Sequence, residues 1–215
     1  MHRQKNLNKT DTMKRIAILA AAVSLLAACA QTQEAPKGAL DTIFSRKSVR
    51  SYTSEPVSSE QTEILLKAAM SAPTGMNVQP WRFVVVTNDA VKEALAGPRG
   101  KMIRNAPLVV VVCGETTIMR KPSPEATEEV RMDNPNWTAD CAAATENLLL
   151  AAEALDLGAV WTACYPYPER MSQTIAALGL PEGVTPYCIV PVGHPDGDNQ
   201  PKDKWKPENI HYNKW

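Results

Sequence analysis

The stretch Ser58–Thr87 reads SSEQTEILLKAAMSAPTGMNVQPWRFVVVT. Ser58 and Gln61 stand in capping-box spacing, in which the serine oxygen takes a first-turn amide and the glutamine reaches back to the cap. Ile64, Leu65, Ala68 and Ala69 then recur at helical spacing. Pro73 stops the segment, because proline has no amide to give and pushes the residue before it out of the α region. Beyond the turn, Arg82–Thr87 (RFVVVT) is a short run rich in β-branched residues, which predicts a strand.

Outward from this unit, Leu108–Cys113 (LVVVVC), Ala159–Cys164 (AVWTAC) and Tyr187–Val192 (YCIVPV) repeat the strand signature. Each of the four runs is apolar without alternation, so each is expected to be buried on both faces. Trp137–Leu157 carries Ala144, Leu148, Ala152 and Leu155 at helical spacing and is apolar on most of its remaining surface, as in a helix covered nearly all round. Leu40–Ser45 and Met171–Leu178 are shorter helical candidates. Helices alternating loosely with four strands predict an α+β arrangement around one sheet, with no internal repeat. Gly114–Asn136 is polar and broken by Pro122, Pro124 and Pro135, which predicts a long loop, or a loop with a marginal helix, of the length that often serves as a lid.

The N-terminal part reads differently. Lys14 and Arg15 precede the apolar run Ile16–Leu26, too short to span a bilayer, and Leu26-Ala27-Ala28-Cys29 follows. That is the pattern of a bacterial lipoprotein signal peptide, with Cys29 as the acylated residue. Met1–Thr12 is polar and sits ahead of the signal, as an upstream start codon would place it. The expected organisation is therefore 1–28 as signal peptide with extension, 29–39 as lipidated cysteine and flexible tether, and 40–215 as one domain. Ala30 after Cys29 favours the outer membrane, facing the periplasm. Removal of residues 1–28 leaves 187 of the 215 residues, enough for a single core.

Lys plus Arg and Asp plus Glu number 23 each, so no overall charge pulls the chain toward nucleic acid. Cys113, Cys141, Cys164 and Cys188 have no metal-ligand spacing, which predicts no structural metal and leaves disulfides open. Neither a GxGxxG nor a Walker-type loop is present, and the GPRG at 97–100 is neither. Past the signal segment the histidines are His194 and His211, which gives no support to a hydrolytic triad or a histidine metal site.

Three blocks remain. The first is Arg46-Lys47-Ser48-Val49-Arg50 (RKSVR). The second is Pro73-Thr74-Gly75-Met76 followed by Asn77-Val78-Gln79-Pro80-Trp81. The third is the tail with Pro201, Lys202, Lys204, His211, Tyr212 and Trp215. Taken singly, each is compatible with a surface turn. In this order, with these strands between them, they resemble the nitroreductase-like family of FMN-dependent oxidoreductases.

The resemblance implies a three-layer sandwich, with a central, mainly antiparallel sheet flanked by helices, in a homodimer with FMN at the interface. It implies that Arg46 with Lys202 and Lys204 meets the phosphate and ribityl end, and that Lys47 and Ser48 of the same segment also belong to the cofactor site. A phosphate dianion needs several cations and hydroxyl or amide donors around it. Arg50 is placed at the pyrimidine edge, where a cation stabilises reduced flavin. Pro73, Thr74, Gly75, Asn77 and Gln79 approach from the partner subunit, and Ala163 and Cys164 bring backbone N–H groups near the ring. The implied reaction is ping-pong hydride transfer through flavin N5 to a nitroaromatic or quinone, from a small-molecule donor, with no catalytic side chain. Dehalogenase or dehydrogenase chemistry and a non-enzymatic flavin-holding lipoprotein are the alternatives. Arg120 and Lys121 mark loop 114–136 as a candidate gate.

Overall fold

The computed structural model describes residues 38–97 and 100–215. The expected lipidation site at Cys29 and the expected signal segment lie outside them. In chain order the elements are α1 (Ala39–Ser45), α2 (Ser59–Met70), a 3-10 turn (Gly75–Asn77), β1 (Trp81–Val86), α3 (Asp89–Ala96), α4 (Lys101–Arg104), β2 (Leu108–Glu115), β3 (Thr117–Arg120), β4 (Val130–Asp133), α5 (Trp137–Ala154), β5 (Gly158–Ala159), β6 (Thr162–Ala163), α6 (Pro168–Leu178) and β7 (Val184–Gly193). The capping box forms as read: Ser58 Oγ accepts from Gln61 N at 3.0 Å and Gln61 Oε1 accepts from Ser58 N at 2.9 Å. Helix α1 starts within the expected tether, with Gly38 as its N-cap.

The main sheet runs β1-β2-β7-β5, with β6 also on β7, and every pairing is antiparallel. Successive residues of β2 face opposite layers. Leu108, Val110 and Val112 pack with Leu65 and Ala69 of α2 and with Cys141, Ala144 and Leu148 of α5. Val109, Val111 and Cys113 pack with Leu95 and Ala96 of α3 and with Ile103 of α4. The chain is thus a three-layer α+β sandwich, and the strictly apolar reading of β2 follows from its having a core on each side.

Four readings are corrected. Strand β1 is not buried on both faces: it pairs only with β2, and Val85 stays 41% exposed. The run Ala159–Cys164 is split into β5 and β6, because the opposing stretch of β7 contains Pro191, which has no amide for the ladder. Helix α6 begins at Pro168 rather than Met171, with proline in the first turn, where its missing N–H costs nothing. Gly114–Asn136 is not a loop or marginal helix but mostly a hairpin, with Ile118 opposite Met132 and Arg120 opposite Val130. Its prolines bound the strands instead of preventing them, since Pro122 and Pro124 lie between β3 and β4 and Pro135 follows β4.

Helix α5 meets the expectation of near-complete cover, with only Ala139 and Ala154 of its residues exposed. Cys113, Cys141, Cys164 and Cys188 are all free and buried, which answers the disulfide question for these four. Burial pushes the Cys113 and Cys141 thiols up to about 12. The C-terminal stretch turns outward, with Trp205 73% and Tyr212 82% exposed. Among the described residues no helix is long and apolar enough to cross a membrane.

Candidate functional site

The basic segment after α1 lies against β5. Val49 N donates to Ala159 O at 3.0 Å, and Ser48 forms a parallel bridge with Ala159. The fit is tight because position 158 has no side chain: a Cβ there would come within 2.6 Å of Val49 Cβ and Cγ1. Tyr52 locks the other side, its hydroxyl shared between Val49 O at 2.6 Å and Pro191 O at 3.1 Å. Burial pushes the Tyr52 phenol up, so it stays a donor.

Helix α5 sorts the cations. Arg46 Nε pairs with Glu146 at 3.2 Å, and Lys47 Nζ pairs with Glu153 at 3.1 Å. Glu153 also accepts from Ser45 Oγ at 2.9 Å and has a side chain only 6% exposed, so Lys47 is held inward against the helix. The Glu146 side chain keeps 47% of its surface open although the residue as a whole is half-buried, and its contact with Arg46 is open to competition. Arg50 Nη1 donates to Ser48 O at 3.2 Å and is otherwise presented to solvent.

The second block is a strained polar turn. Met76, Asn77 and Gln79 all have positive φ, at 54°, 57° and 54°, a conformation that costs a non-glycine residue of order 1–3 kcal/mol and persists only where surroundings impose it. Inside the turn, Gln79 N donates to Thr74 Oγ1 at 3.2 Å and Gln79 Nε2 to Asn77 Oδ1 at 2.9 Å. Gly75 N donates to Asp140 Oδ1 of α5 at 2.9 Å. The approach at Gly75 is close, since a Cβ there would sit 2.6 Å from Asn136 Nδ2 and displace that exposed side chain. Asn77 and Gln79 face solvent.

Ala163 lines a cavity of about 710 Å3 with Thr162, Gly100, Met102, Tyr167 and Arg170. Arg170 Nη1 donates to Ala163 O at 2.8 Å and its guanidinium lies 5.0 Å from the Tyr167 ring centroid. The Cys164 amide is already taken by Tyr187 O at 3.0 Å, and its thiol turns inward to Thr174 Oγ1 at 3.3 Å. Cys164 therefore has no free N–H to offer a ligand. Lys202 and Lys204 are exposed and make no hydrogen bond or ion pair among the described residues.

Reading the sequence missed the acidic residues that organise this site. Asp140, Glu146 and Glu153 interrupt an alanine- and leucine-rich helix, and each takes a named block of the site. Acidic residues in so apolar a helix were the legible signal, because a covered helix does not retain carboxylates without partners. The helix also fixes geometry. Six residues separate Asp140 from Glu146, about 9 Å along the axis and a rotation of about 240°. The strained turn and Arg46 therefore dock on different faces of α5.

The chain is a layered α+β sandwich that holds a basic segment and an exposed amide-bearing turn on one buried helix. The Nitroreductase family pattern matches residues 43–98 and 95–194, and the chain belongs to that family. Three relatives, whose descriptions all carry the word "putative", fit this. A NADH dehydrogenase/NAD(P)H nitroreductase of Archaeoglobus fulgidus is 37% identical over 181 residues, 82% of this chain and 98% of its own. A crystal structure so described from Bacteroides thetaiotaomicron superposes with a TM-score of 0.74 at 41% identity, covering 84% of this chain and 100% of that one. A nitroreductase in complex with FMN from Desulfovibrio desulfuricans superposes with a TM-score of 0.66 at 29% identity, covering 84% of this chain and 99% of that one.

Proposed function

We propose that this chain works as a homodimer in which each flavin lies between two copies, with the phosphate end on one copy's basic segment and the ring edge against the partner's strained turn. As a nitroreductase-family member with flavin-dependent relatives, the chain is an FMN-dependent oxidoreductase of the NAD(P)H type. The observation that carries the dimeric reading is the placement of Arg46 and the Thr74–Gln79 turn on different faces of α5. Within one chain the two blocks attach to α5 about 120° apart around its axis, which supports drawing them from two copies for a single ligand.

The residues suit FMN. Arg46 is held by a half-exposed carboxylate that a phosphate dianion can displace, and Arg50 and Ser48 stand beside it on the same segment. Lys202 and Lys204, on an arm with exposed aromatic residues, supply further cations when that arm is docked. FMN when bound supplies hydride acceptance and donation at N5. The protein's own task is to bind it, to place Arg50 where it stabilises negative charge on the reduced ring, and to leave room for a flat electron-poor acceptor of nitroaromatic or quinone type. The hairpin β3–β4 borders a cavity of about 610 Å3 with Met76 of the turn, and its Arg120 and Arg131 line that cavity. This position suits control of access by donor or acceptor.

The reading extends to the cell envelope. Lys14-Arg15, the apolar run Ile16–Leu26 and Cys29 followed by Ala30 favour a lipid anchor on a short tether at the periplasmic face of the outer membrane. Mass spectrometry of the mature N-terminus checks it: a diacylglyceryl-modified Cys29 is expected, and an unmodified chain starting at Met1 or Met13 refutes it.

The test of the cofactor site is the absorbance spectrum of the purified protein after loading with FMN and desalting. A retained flavin band that Arg46→Ala loses supports the reading, and no retained band in the unaltered protein refutes it. Light scattering of the loaded protein should give twice the chain mass.

A further inference from the structure

We infer that Asp140 is the positioning residue that holds the Thr74–Gln79 turn in its flavin-facing shape. The inference rests on the proposed flavin site for its function, but its physical content is a property of the protein alone.

Asp140 is 4% exposed, and its Oδ1 accepts from Gly75 N at 2.9 Å across 65 positions of sequence. Its Oδ2 is buried with no hydrogen-bond partner. A carboxylate taken from water with one oxygen unmatched is a costly way to secure a fold. A neutral group would anchor a loop amide at lower desolvation cost. What the carboxylate adds is a charge-assisted bond, roughly twice as strong as a neutral one.

The turn needs such a hold. Its other polar contacts are mostly internal: Asn77 N to Thr74 O at 3.2 Å, Val78 N to Gly75 O at 3.1 Å, Gln79 N to Thr74 Oγ1, and the Gln79–Asn77 side-chain bond, with Arg82 Nη1 of β1 donating to Gln79 O at 3.2 Å at its far end. The internal bonds move with the turn, and the Arg82 bond, made by a half-exposed side chain, holds only its last residue, which leaves the Gly75 end to Asp140. Three positive-φ residues within four positions strain it toward other conformations. The Gly75–Asp140 bond ties it to α5, the helix that also holds Arg46 and Lys47. Asp140 thereby sets where the Asn77 and Gln79 side chains stand, while touching no ligand itself.

The experiment compares Asp140→Leu, similar in size but without an acceptor, with Asp140→Asn, which keeps Oδ1. Two quantities are read on each: FMN dissociation constant, and amide hydrogen exchange of peptides spanning Gly75–Gln79 and, as reference, Leu65–Ala69 in the core. Asp140→Leu should speed exchange in the turn peptide, leave the core peptide protected, and weaken FMN at least tenfold, about 1.4 kcal/mol. Asp140→Asn should keep turn protection and hold FMN affinity within about fivefold. A turn peptide that exchanges in Asp140→Leu as in the unaltered protein overturns the inference, as does equal weakening of FMN by both variants. Loosening of the turn in a protein that binds no FMN would sustain the Asp140 role while defeating the flavin reading.

Discussion

Replacing Gly158 with alanine tests whether close packing at β5 places the basic segment. The added Cβ would lie 2.6 Å from Val49 Cβ and Cγ1 and 2.8 Å from Cγ2. Val49 is 1% exposed and β-branched, so no flexible end can swing aside, and the strain passes to the backbone of Ser48–Arg50. That backbone is held by the Val49 N to Ala159 O bond at 3.0 Å and by the Tyr52 hydroxyl, the first contacts to stretch. Overpacking of this kind costs about 1–3 kcal/mol. For a chain of this size each kcal/mol lowers the melting temperature by about 2–4 °C, so a fall of roughly 2–12 °C is expected. FMN affinity should fall with it, about tenfold for each 1.4 kcal/mol lost at the phosphate end. Calorimetry on the apo and FMN-loaded protein separates the two effects, since ligand stabilisation depends on affinity and free concentration. A Gly158→Ala protein that melts within 1 °C of the parent and binds FMN within twofold would refute the argument that this contact positions Ser48 and Arg50.

Other outcomes follow from the same structure. Cys113, Cys141, Cys164 and Cys188 should be silent to a thiol reagent at pH 8 in the folded protein and should all react once it is unfolded; a disulfide among them would lower the count. The Cys113 and Cys141 thiols are raised from 9.0 to about 12 by burial, so above pH 9 the unfolded chain releases protons that the fold retains. Their contribution to stability is complete below about pH 9 and declines as pH rises toward 12. Thiolate absorbance that grows in the folded protein at pH 9 would contradict this. Replacing Arg120–Val130 by a short Gly-Ser link should change the ratio of NADH to NADPH turnover while leaving FMN binding within about threefold; loss of FMN would show that the hairpin belongs to the cofactor site instead.

The sequence made the layered fold legible because its strongest signals are local and mutually consistent. The Ser58–Gln61 box, the stop at Pro73 and the unbroken LVVVVC run each report a physical requirement met within a few residues. The misreadings arose where a partner elsewhere in the chain decides the outcome. Whether Ala159–Cys164 forms one strand or two depends on Pro191 in β7, and whether Val85 is covered depends on β1 being an edge. The hairpin β3–β4 is obscured in the sequence by proline density that suggests a loop, whereas the prolines lie at its turn and boundary. Composition alone cannot separate those cases, but position relative to a four-residue alternation can.

The same division applies to the site. RKSVR and the Pro73–Trp81 block stand out in the sequence as chemistry, since cations and amides at exposed turns are what an anionic ligand needs. What arranges them is legible only as three carboxylates, Asp140, Glu146 and Glu153, in a helix that otherwise reads as core. Those three carboxylates convert a covered helix into a frame with fixed spacing. Sliding the turn by one helical position relative to Arg46 would move it about 1.5 Å along the axis and about 100° around it. Coding both halves of the site against one rigid element is therefore a stricter constraint than either motif shows alone. It also makes α5 the place where a substitution far from any ligand, such as one at Asp140, should alter binding without dissolving the fold.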